Sequence, residues 1–235
     1  MQHLSIDIET RSSVNIAKSG AYKYAQSEDF EILMFSYKLN DLPVQLVDLK
    51  QGGIIPPYIV ALLDDENCIK HAYNAAFEWY CLNQAGYKSN ISQWRCTMFH
   101  ATYLGLPAGL GMTGNALGIA EDKKKLTTGN RLIQYFSVPC KPTKSNGGRT
   151  WNEPHHDLDK WKLYCEYNMQ DVEAEYTIYQ HLKAFEVPAK EQKLWEMDIL
   201  MNSKGVKIDK TLVESILKID VESTEKLTEE AYQIT

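Results

Sequence analysis

The chain has 235 residues, of which 44% are hydrophobic and 11% aromatic, and this composition is typical of a globular protein with a sizeable core. It contains no long apolar run and no basic-then-apolar leader, so membrane-spanning and secreted classes are excluded and a soluble, cytoplasmic protein is expected. The five cysteines are odd in number and widely spaced, which favours reduced thiols over a disulfide framework or a zinc site.

Charge is distributed unevenly along the chain. The net charge is −6, yet residues 121–152, which we call the basic segment, hold seven basic and only two acidic residues. The basic residues are Lys123, Lys124, Lys125, Arg131, Lys141, Lys144 and Arg149. A basic segment on an acidic body is suited to binding a polyanion near a carboxylate-lined metal site.

The first predicted strand, Leu4–Thr10, carries two carboxylates. Alternate side chains of a strand point to the same face, so Asp7 and Glu9 are expected to project together while Ile6 and Ile8 pack on the other face. Two like charges on an apolar strand are costly unless a cation compensates them, and carboxylate oxygens suit Mg²⁺ or Mn²⁺. The strand therefore predicts one half of a metal site.

The next part of the chain predicts alternating strands and helices. In chain order these are a helical turn around Gly20–Ala25, a hairpin of strands Phe30–Lys38 and Val44–Leu49, a helix at Pro57–Leu63, a strand at Cys68–Tyr73, a helix at Ala75–Ala85, a strand at Trp94–Cys96 and a helix at Met98–Leu104. This order predicts an α/β fold with a mixed sheet.

The C-terminal half predicts a long loop and then helices. The loop, Ser137–Pro154, precedes a helix at Asp157–Ala184 with Asp157 as its N-cap. Pro188 opens a further helix that runs to about Ser203, and Asp209 caps a last one. The apolar residues of that last helix have few neighbours left in the sequence to cover them, so a fragment of a longer protein is expected.

Two further sequence stretches supply polar residues that could join Asp7 and Glu9. At a strand–helix junction, Asn74 is followed four residues later by Glu78. On the long helix, Tyr167 and Asp171 are also four residues apart and so lie on one face.

These three motifs, in this order, resemble those of the DnaQ-like (DEDDy) 3′–5′ exonucleases, and most of all the proofreading domain of bacteriophage and prophage family A DNA polymerases. The stretches that carry the resemblance are SIDIETR at 5–11, HAYNAAFE at 71–78, WRCT at 94–97 and CKPT at 140–143. The stretch from Glu191 through Asp209 is similar to the start of the polymerase region of such enzymes.

The resemblance implies a ribonuclease H-like mixed sheet flanked by helices, with a C-terminal helical extension. It implies an exonuclease domain over residues 1–187 and the helical start of a truncated polymerase region over 188–235. The expected partners are the 3′ end of single-stranded DNA and the polymerase region of the same parent chain, and a monomer in a bacterial or phage-infected cell is expected.

The resemblance also assigns roles. Two divalent cations, Mg²⁺ or Mn²⁺, would catalyse phosphodiester hydrolysis, with Asp7 bridging both. Glu9 and Asp171 would complete the first cation site and Glu78 would help to hold the second, while Tyr167 would orient the attacking water. The residues expected to bind substrate are Thr10, Asn74, Phe77, Lys141, Lys144 and Arg149.

One residue departs from the family pattern, because position 78 is Glu where the superfamily usually has Asp. The extra methylene displaces the carboxylate, and octahedral Mg²⁺ tolerates little misplacement. The helix could sit further back, or the second cation could bind weakly or through water. Two alternatives therefore stay open: a catalytically weakened domain that binds single-stranded DNA or serves as a scaffold, and a stand-alone 3′–5′ exoribonuclease.

Overall fold

The computed structural model describes residues 2–119 and 129–234. Lys123, Lys124 and Lys125 of the basic segment lie outside the described residues. The described strands are β1 (Gln2–Arg11), β2 (Glu31–Leu39), β3 (Gln45–Val47), β4 (Cys68–Ala72) and β5 (Trp94–Cys96). The described helices are α1 (Ile16–Ala25), α2 (Pro57–Asp64), α3 (Ala75–Gln84), α4 (Thr97–Tyr103), α5 (Leu110–Ala116), α6 (Gly129–Phe136), α7 (Leu158–Leu182), α8 (Ala189–Lys204) and α9 (Lys210–Ile234).

The strands form one mixed sheet in the order β3-β2-β1-β4-β5. β2 pairs antiparallel with both β1 and β3, whereas β4 pairs parallel with β1 and with β5. This is the mixed α/β sheet that the sequence predicts. It places β1, with its two acids, at the centre, and parallel pairing directs the carboxyl ends of β1, β4 and β5 to the same edge.

Helix α7 covers the central strands. Asp157 caps it by accepting a hydrogen bond from the backbone N–H of Lys160, as predicted. The helix packs against β1 and β2, and its buried residues recur at helical spacing. Helices α7 and α6 and strand β2 share an apolar cluster. Its buried residues are Leu33, Met34, Leu132, Phe136, Trp161, Tyr164 and Tyr167. Burial of this face of α7 holds the helix at a fixed distance from the acids of β1.

Several elements differ from the sequence prediction. β3 has only three residues, and α1 begins at Ile16 with a break at Gly20, whose φ is 75°. Neither α5 nor α6 was predicted. α5 contains two glycines, so its intrinsic helix propensity is low, and tertiary contacts stabilise it: Thr113 is fully buried and its hydroxyl bonds to Tyr73 Oη at 2.7 Å.

The chain divides into two compact units, Met1–Met197 and Asp198–Thr235. The first unit contains the sheet and the apolar cluster. In the second, none of the residues of α9 is buried. The predicted division between residues 187 and 188 stays a prediction. Among the described helices, none combines the length and apolarity that a membrane crossing requires.

Candidate active site

The acids of β1 face α7. Side chains at positions 5, 7 and 9 share one face of the strand, and each contacts a different turn of the helix. Asn168 Nδ2 donates to Asp7 Oδ2 at 2.5 Å, and Tyr164 Oη donates to Glu9 Oε2 at 2.6 Å. Ser5 hydrogen-bonds to the side chain of Glu175. α7 thus runs antiparallel along β1 and supplies a polar partner at every second residue of the strand.

Glu9 lies at the end of a hydrogen-bonded chain. Tyr164 is fully buried, and because its proton is donated to Glu9, its oxygen accepts from Ser137 Oγ at 2.9 Å. Burial raises the pKa of Tyr164 well above its ordinary value, and the negative charge of Glu9 raises it further. Immediately after Glu9 the β1–β2 register shifts, and a bulge of this kind re-aims the side chains that follow.

Tyr167 lies among the acids of the first and third motifs. Its side chain is 2% exposed and hydrogen-bonds to Asp171. Burial raises the pKa of Tyr167 far above its usual range, and the charges of Asp171, Glu9 and Asp7 raise it in turn. The structure therefore brings Asp7, Glu9, Tyr167 and Asp171 together, and the phenol is held in its protonated form.

Glu78 reaches the same cluster from α3. It lies in the first turn of that helix and is 3% exposed. Burial raises its pKa well above the ordinary value, and the negative charges of Glu9 and Glu175 add to that shift. Its Oε2 has no hydrogen-bond partner in the described part of the chain. Burying a carboxylate oxygen without a hydrogen-bond partner is energetically unfavourable, and binding of a cation or a proton would offset that penalty.

The turn into α3 explains how Asn74 is placed. Asn74 adopts the left-handed conformation with φ 79°, which asparagine tolerates better than most residues, and its side chain makes no cap hydrogen bond to the helix. The side chain is exposed. The side chain of Asn74 is thus exposed at the edge of the sheet near Glu78, and it does not cap the helix.

Gly129 lies directly against Tyr167. A Cβ added at Gly129 would lie 2.0 Å from Cε2 and 2.3 Å from Cζ of that ring. Real Cβ atoms do not approach other atoms so closely, so only glycine fits here while the ring keeps its place. The first residue of α6 is thereby part of the wall that positions Tyr167.

The other predicted substrate-binding residues occupy different surroundings. Thr10 is buried, with its hydroxyl 3.0 Å from Tyr24 Oη, and Phe77 is half-buried with its ring 6.0 Å from that of Tyr24. Lys141 and Lys144 are exposed. Arg149 donates from Nε to Asn152 Oδ1 at 2.8 Å.

The irregular segment 137–153, which carries these three basic residues, is anchored near Glu9 at both ends. At its start, Ser137 bonds to Tyr164, the residue that donates to Glu9. At its end, Glu153 forms an ion pair with Arg11, two residues after Glu9, at 2.8 Å. Lys50 joins the same ion-pair network by contacting Glu153 at 3.1 Å. The segment therefore spans the edge of the carboxylate cluster.

Sequence reasoning missed three residues of the cluster: Tyr164, Asn168 and Glu175. All three are buried and each hydrogen-bonds to β1. A signal for them exists in the sequence, because positions 164, 168, 171 and 175 recur at intervals of three or four residues and so line one face of a helix.

The chemistry of the donor set fits a hard divalent cation. Asp7, Glu9, Glu78 and Asp171 offer only carboxylate oxygens, and Oε2 of Glu78 is buried without a hydrogen-bond partner among the described residues. Within residues 2–119 and 129–234, no group of three or more His, Cys, Asp or Glu side chains is arranged to hold a metal ion. Asp7 and Glu9 accept hydrogen bonds from α7, and these contacts set the orientation of both carboxylates.

Comparison with known proteins gives one relative in sequence and several in fold. No protein-family model matches the chain. A DNA polymerase of Bacillus phage SP02 is 44% identical over 236 residues, which is 100% of this chain and 36% of the polymerase. The chain thus spans about a third of the length of the curated relative that it matches.

Two solved structures share the fold. One, described as the apo form of a nuclease, covers 86% of this chain and 83% of its own at 14% identity, with a TM-score of 0.50. The other, the Trypanosoma brucei RNase D–GMP complex, covers 88% of this chain and 59% of its own at 16% identity, with a TM-score of 0.52. The predicted similarity to a bacteriophage DNA polymerase and the predicted fold class are both confirmed. The chain is thus similar over its whole length to part of a bacteriophage DNA polymerase, and it has a ribonuclease H-like fold that it shares with these two nucleases.

Proposed function

We propose that the chain is a metal-dependent 3′–5′ exonuclease that removes nucleotides from DNA 3′ ends, as the proofreading part of a family A DNA polymerase. The observation that carries this proposal is the convergence on Tyr167 of the three acids Asp7, Glu9 and Asp171, together with buried Glu78, whose pKa the negative charge of Glu9 helps to raise. The proposed domains are an exonuclease domain over residues 1–187 and the start of a polymerase region over 188–235.

The proposed reaction is hydrolysis of the terminal phosphodiester. Two divalent cations, Mg²⁺ or Mn²⁺, supply an activated water and stabilise the leaving 3′ oxygen when bound. Asp7, Glu9, Glu78 and Asp171 are the residues that would hold them. Tyr167 keeps its proton because its pKa is raised, so its hydroxyl serves to orient the attacking water rather than to accept a proton.

The substrate would approach along the irregular segment 137–153. Lys141 and Lys144 are exposed there, and the segment is anchored beside Glu9 at both ends, so phosphate contacts would lie next to the acids. Asn74 and Phe77 at the start of α3 are proposed to contact the terminal nucleotide. The phage polymerase relative favours DNA over RNA as substrate and favours a polymerase region as the covalent partner.

The test is a cleavage assay with a 5′-labelled single-stranded oligodeoxynucleotide in Mg²⁺ or Mn²⁺, beside an EDTA control. We expect a metal-dependent ladder that shortens from the 3′ end. Asp7→Ala and Asp171→Ala should abolish the ladder while single-strand binding persists. Asp159→Ala, which removes an exposed acid from the same helix as Asp171, is the matched control and should cleave normally.

Other outcomes would count against parts of the proposal. Faster cleavage of an oligoribonucleotide of the same sequence would contradict the DNA specificity. Binding without any ladder, even in Mn²⁺, would contradict the enzyme assignment and favour a domain that only binds single strands. In that case a ladder produced by Glu78→Asp would identify the glutamate as the cause.

A further inference from the structure

Glu175 is a buried acid that none of the three motifs includes. It lies on α7, four residues after Asp171, and is 2% exposed. Its side chain hydrogen-bonds to Ser5 on β1, and Thr97 at the start of α4 donates from its hydroxyl to Oε1. Three separate elements thus fix the position of this carboxyl group.

One oxygen of Glu175 remains without a hydrogen-bond partner within the described residues, and the same is true of Glu78. The atoms are Oε2 of Glu175 and Oε2 of Glu78. The pKa of Glu78 is raised mainly by burial, and the negative charge of Glu175 is among the further causes. Two neighbouring buried acids, each with an unsatisfied oxygen, are unfavourable unless something between or beside them compensates the charge.

We propose that Glu175 is a positioning residue for Glu78, and that it fixes the direction of the Glu78 carboxylate and adds negative charge to the cation site. This inference rests on the proposed function. Glu78 has a longer and more flexible side chain than the aspartate usual at this position, so its carboxylate can adopt more orientations. Burial raises the pKa of Glu175 to about 7, so above that pH a negative charge held on α7 restricts the orientations of the Glu78 carboxylate. A residue four positions after Asp171 lies on the same helix face, so both acids are held over the same strand.

A purely structural role for Glu175 would consist of its hydrogen bonds to Ser5 and Thr97. Glutamine can make both, because its carbonyl oxygen accepts from hydroxyls as a carboxylate does. The substitution Glu175→Gln therefore preserves the links between β1, α4 and α7 while it removes the charge. It separates the proposed role from the structural one.

The experiment measures Mn²⁺ binding to the full chain by titration calorimetry at about pH 8, where Glu175 is ionised, for the wild type, Glu175→Gln, Glu78→Gln and the double variant. We expect Glu175→Gln to weaken Mn²⁺ binding by about 10- to 100-fold, the range found for groups that orient metal ligands. In the Glu78→Gln background the same substitution should add less than about threefold, because the residue acts through Glu78. The unfolding midpoint of Glu175→Gln in EDTA should equal or exceed that of the wild type.

Two results would overturn the inference alone: Mn²⁺ affinity of Glu175→Gln within twofold of the wild type, or equal losses in both backgrounds. Wild type that binds no Mn²⁺, or binds it equally well after Asp171→Ala, would overturn the proposed function and this inference with it.

A second pair of variants keeps the test decisive if Glu175→Gln does not fold. Thr97→Val removes one anchor of Glu175 but leaves its charge, and we expect it to weaken Mn²⁺ binding measurably. Thr102→Val lies on the same helix, where its hydroxyl bonds only to carbonyls of its own turn, and it should bind Mn²⁺ as the wild type does. Equal affinities for the two variants would contradict the positioning role.

Discussion

Asn168 donates a hydrogen bond from Nδ2 to Oδ2 of Asp7 across 2.5 Å. The contact joins the middle of α7 to the central strand of the sheet, between residues 161 positions apart in the chain. Asn168 directly follows Tyr167, so one turn of the helix both presents the tyrosine and fixes an acid. The direction of the Asp7 carboxylate is therefore set by helix and strand together.

Replacing Asn168 with alanine should lower cleavage by at least about tenfold, because Asp7 loses the donor that orients it. The free energy of unfolding should fall by about 1–3 kcal/mol, since a buried hydrogen bond is lost. Val172→Ala is the control: it removes buried volume from the same helix without removing a hydrogen-bonding group. Equal cleavage rates for the two variants, measured on the labelled oligonucleotide, would contradict an orienting role for Asn168.

Tyr164→Phe tests the chain from Ser137 to Glu9. Without the hydroxyl, Oε2 of Glu9 and Oγ of Ser137 each lose a buried partner, and we expect a loss of about 1–3 kcal/mol in unfolding free energy. The cleavage rate should fall while the affinity for single-stranded DNA changes little. Tyr176→Phe serves as the comparison, because its hydroxyl bonds to Asp41 at the exposed surface. A normal rate for Tyr164→Phe would show that Glu9 needs no support from α7.

Gly129→Ala should destabilise the protein although alanine is the better helix former by about 1 kcal/mol. The added methyl group would overlap the ring of Tyr167, and overpacking of this kind costs about 1–3 kcal/mol. Cleavage should fall as well, because the ring must move. Asn130→Ala, at the exposed next position of α6, should leave both thermal stability and rate unchanged. A rise in the unfolding midpoint of Gly129→Ala would contradict the close contact.

His71 should make the protein less stable in mild acid. Burial, reinforced by the positive charges of His3, Arg95 and His100, lowers the pKa of His71 from 6.5 to about 3. The folded protein therefore keeps the imidazole neutral, whereas the unfolded chain takes up a proton below pH 6.5. The stabilising contribution is complete above that pH and is lost as pH falls toward 3, by up to about 1.4 kcal/mol for each pH unit.

Thermal unfolding between pH 7 and pH 4 measures this effect. His71→Asn removes the titrating group and should show a shallower decline of the midpoint with falling pH than the wild type. His155→Asn changes an exposed histidine and should follow the wild-type curve. Parallel curves for wild type and His71→Asn would show that another group governs the acid response.

The sheet and the motif residues follow from patterns that are local in the sequence. The apolar residues around Asp7 and Glu9 predict a short buried strand, and the spacing from Tyr167 to Asp171 predicts a shared helix face. The structure confirms β1, β2, β4 and β5 close to their predicted bounds, and it confirms the hairpin partner β3 as a shorter strand than predicted. It brings the five predicted catalytic residues into one cluster, while the roles given to them remain proposals.

What the sequence could not predict depends on contacts between distant residues. α5 has glycines that locally disfavour a helix, and only burial against the rest of the fold makes it one. Asn168 and Glu175 are ordinary polar residues of an amphipathic helix until β1 lies opposite them. Their surroundings are set by residues more than 160 positions away, and no window of local sequence contains that information.

The central position of β1 has a consequence for synthesis of the protein. β1 leaves the ribosome before α7, the helix that orients its acids, which spans Leu158–Leu182 with Asp171 near its middle. At about 5–20 residues per second, roughly ten to thirty seconds separate the two during translation. Through that interval a nascent chain carries Asp7 and Glu9 without Tyr167 or Asp171. The proposed nuclease activity therefore cannot arise before α7 has been synthesised, because the acids of β1 have no partners on that helix until then.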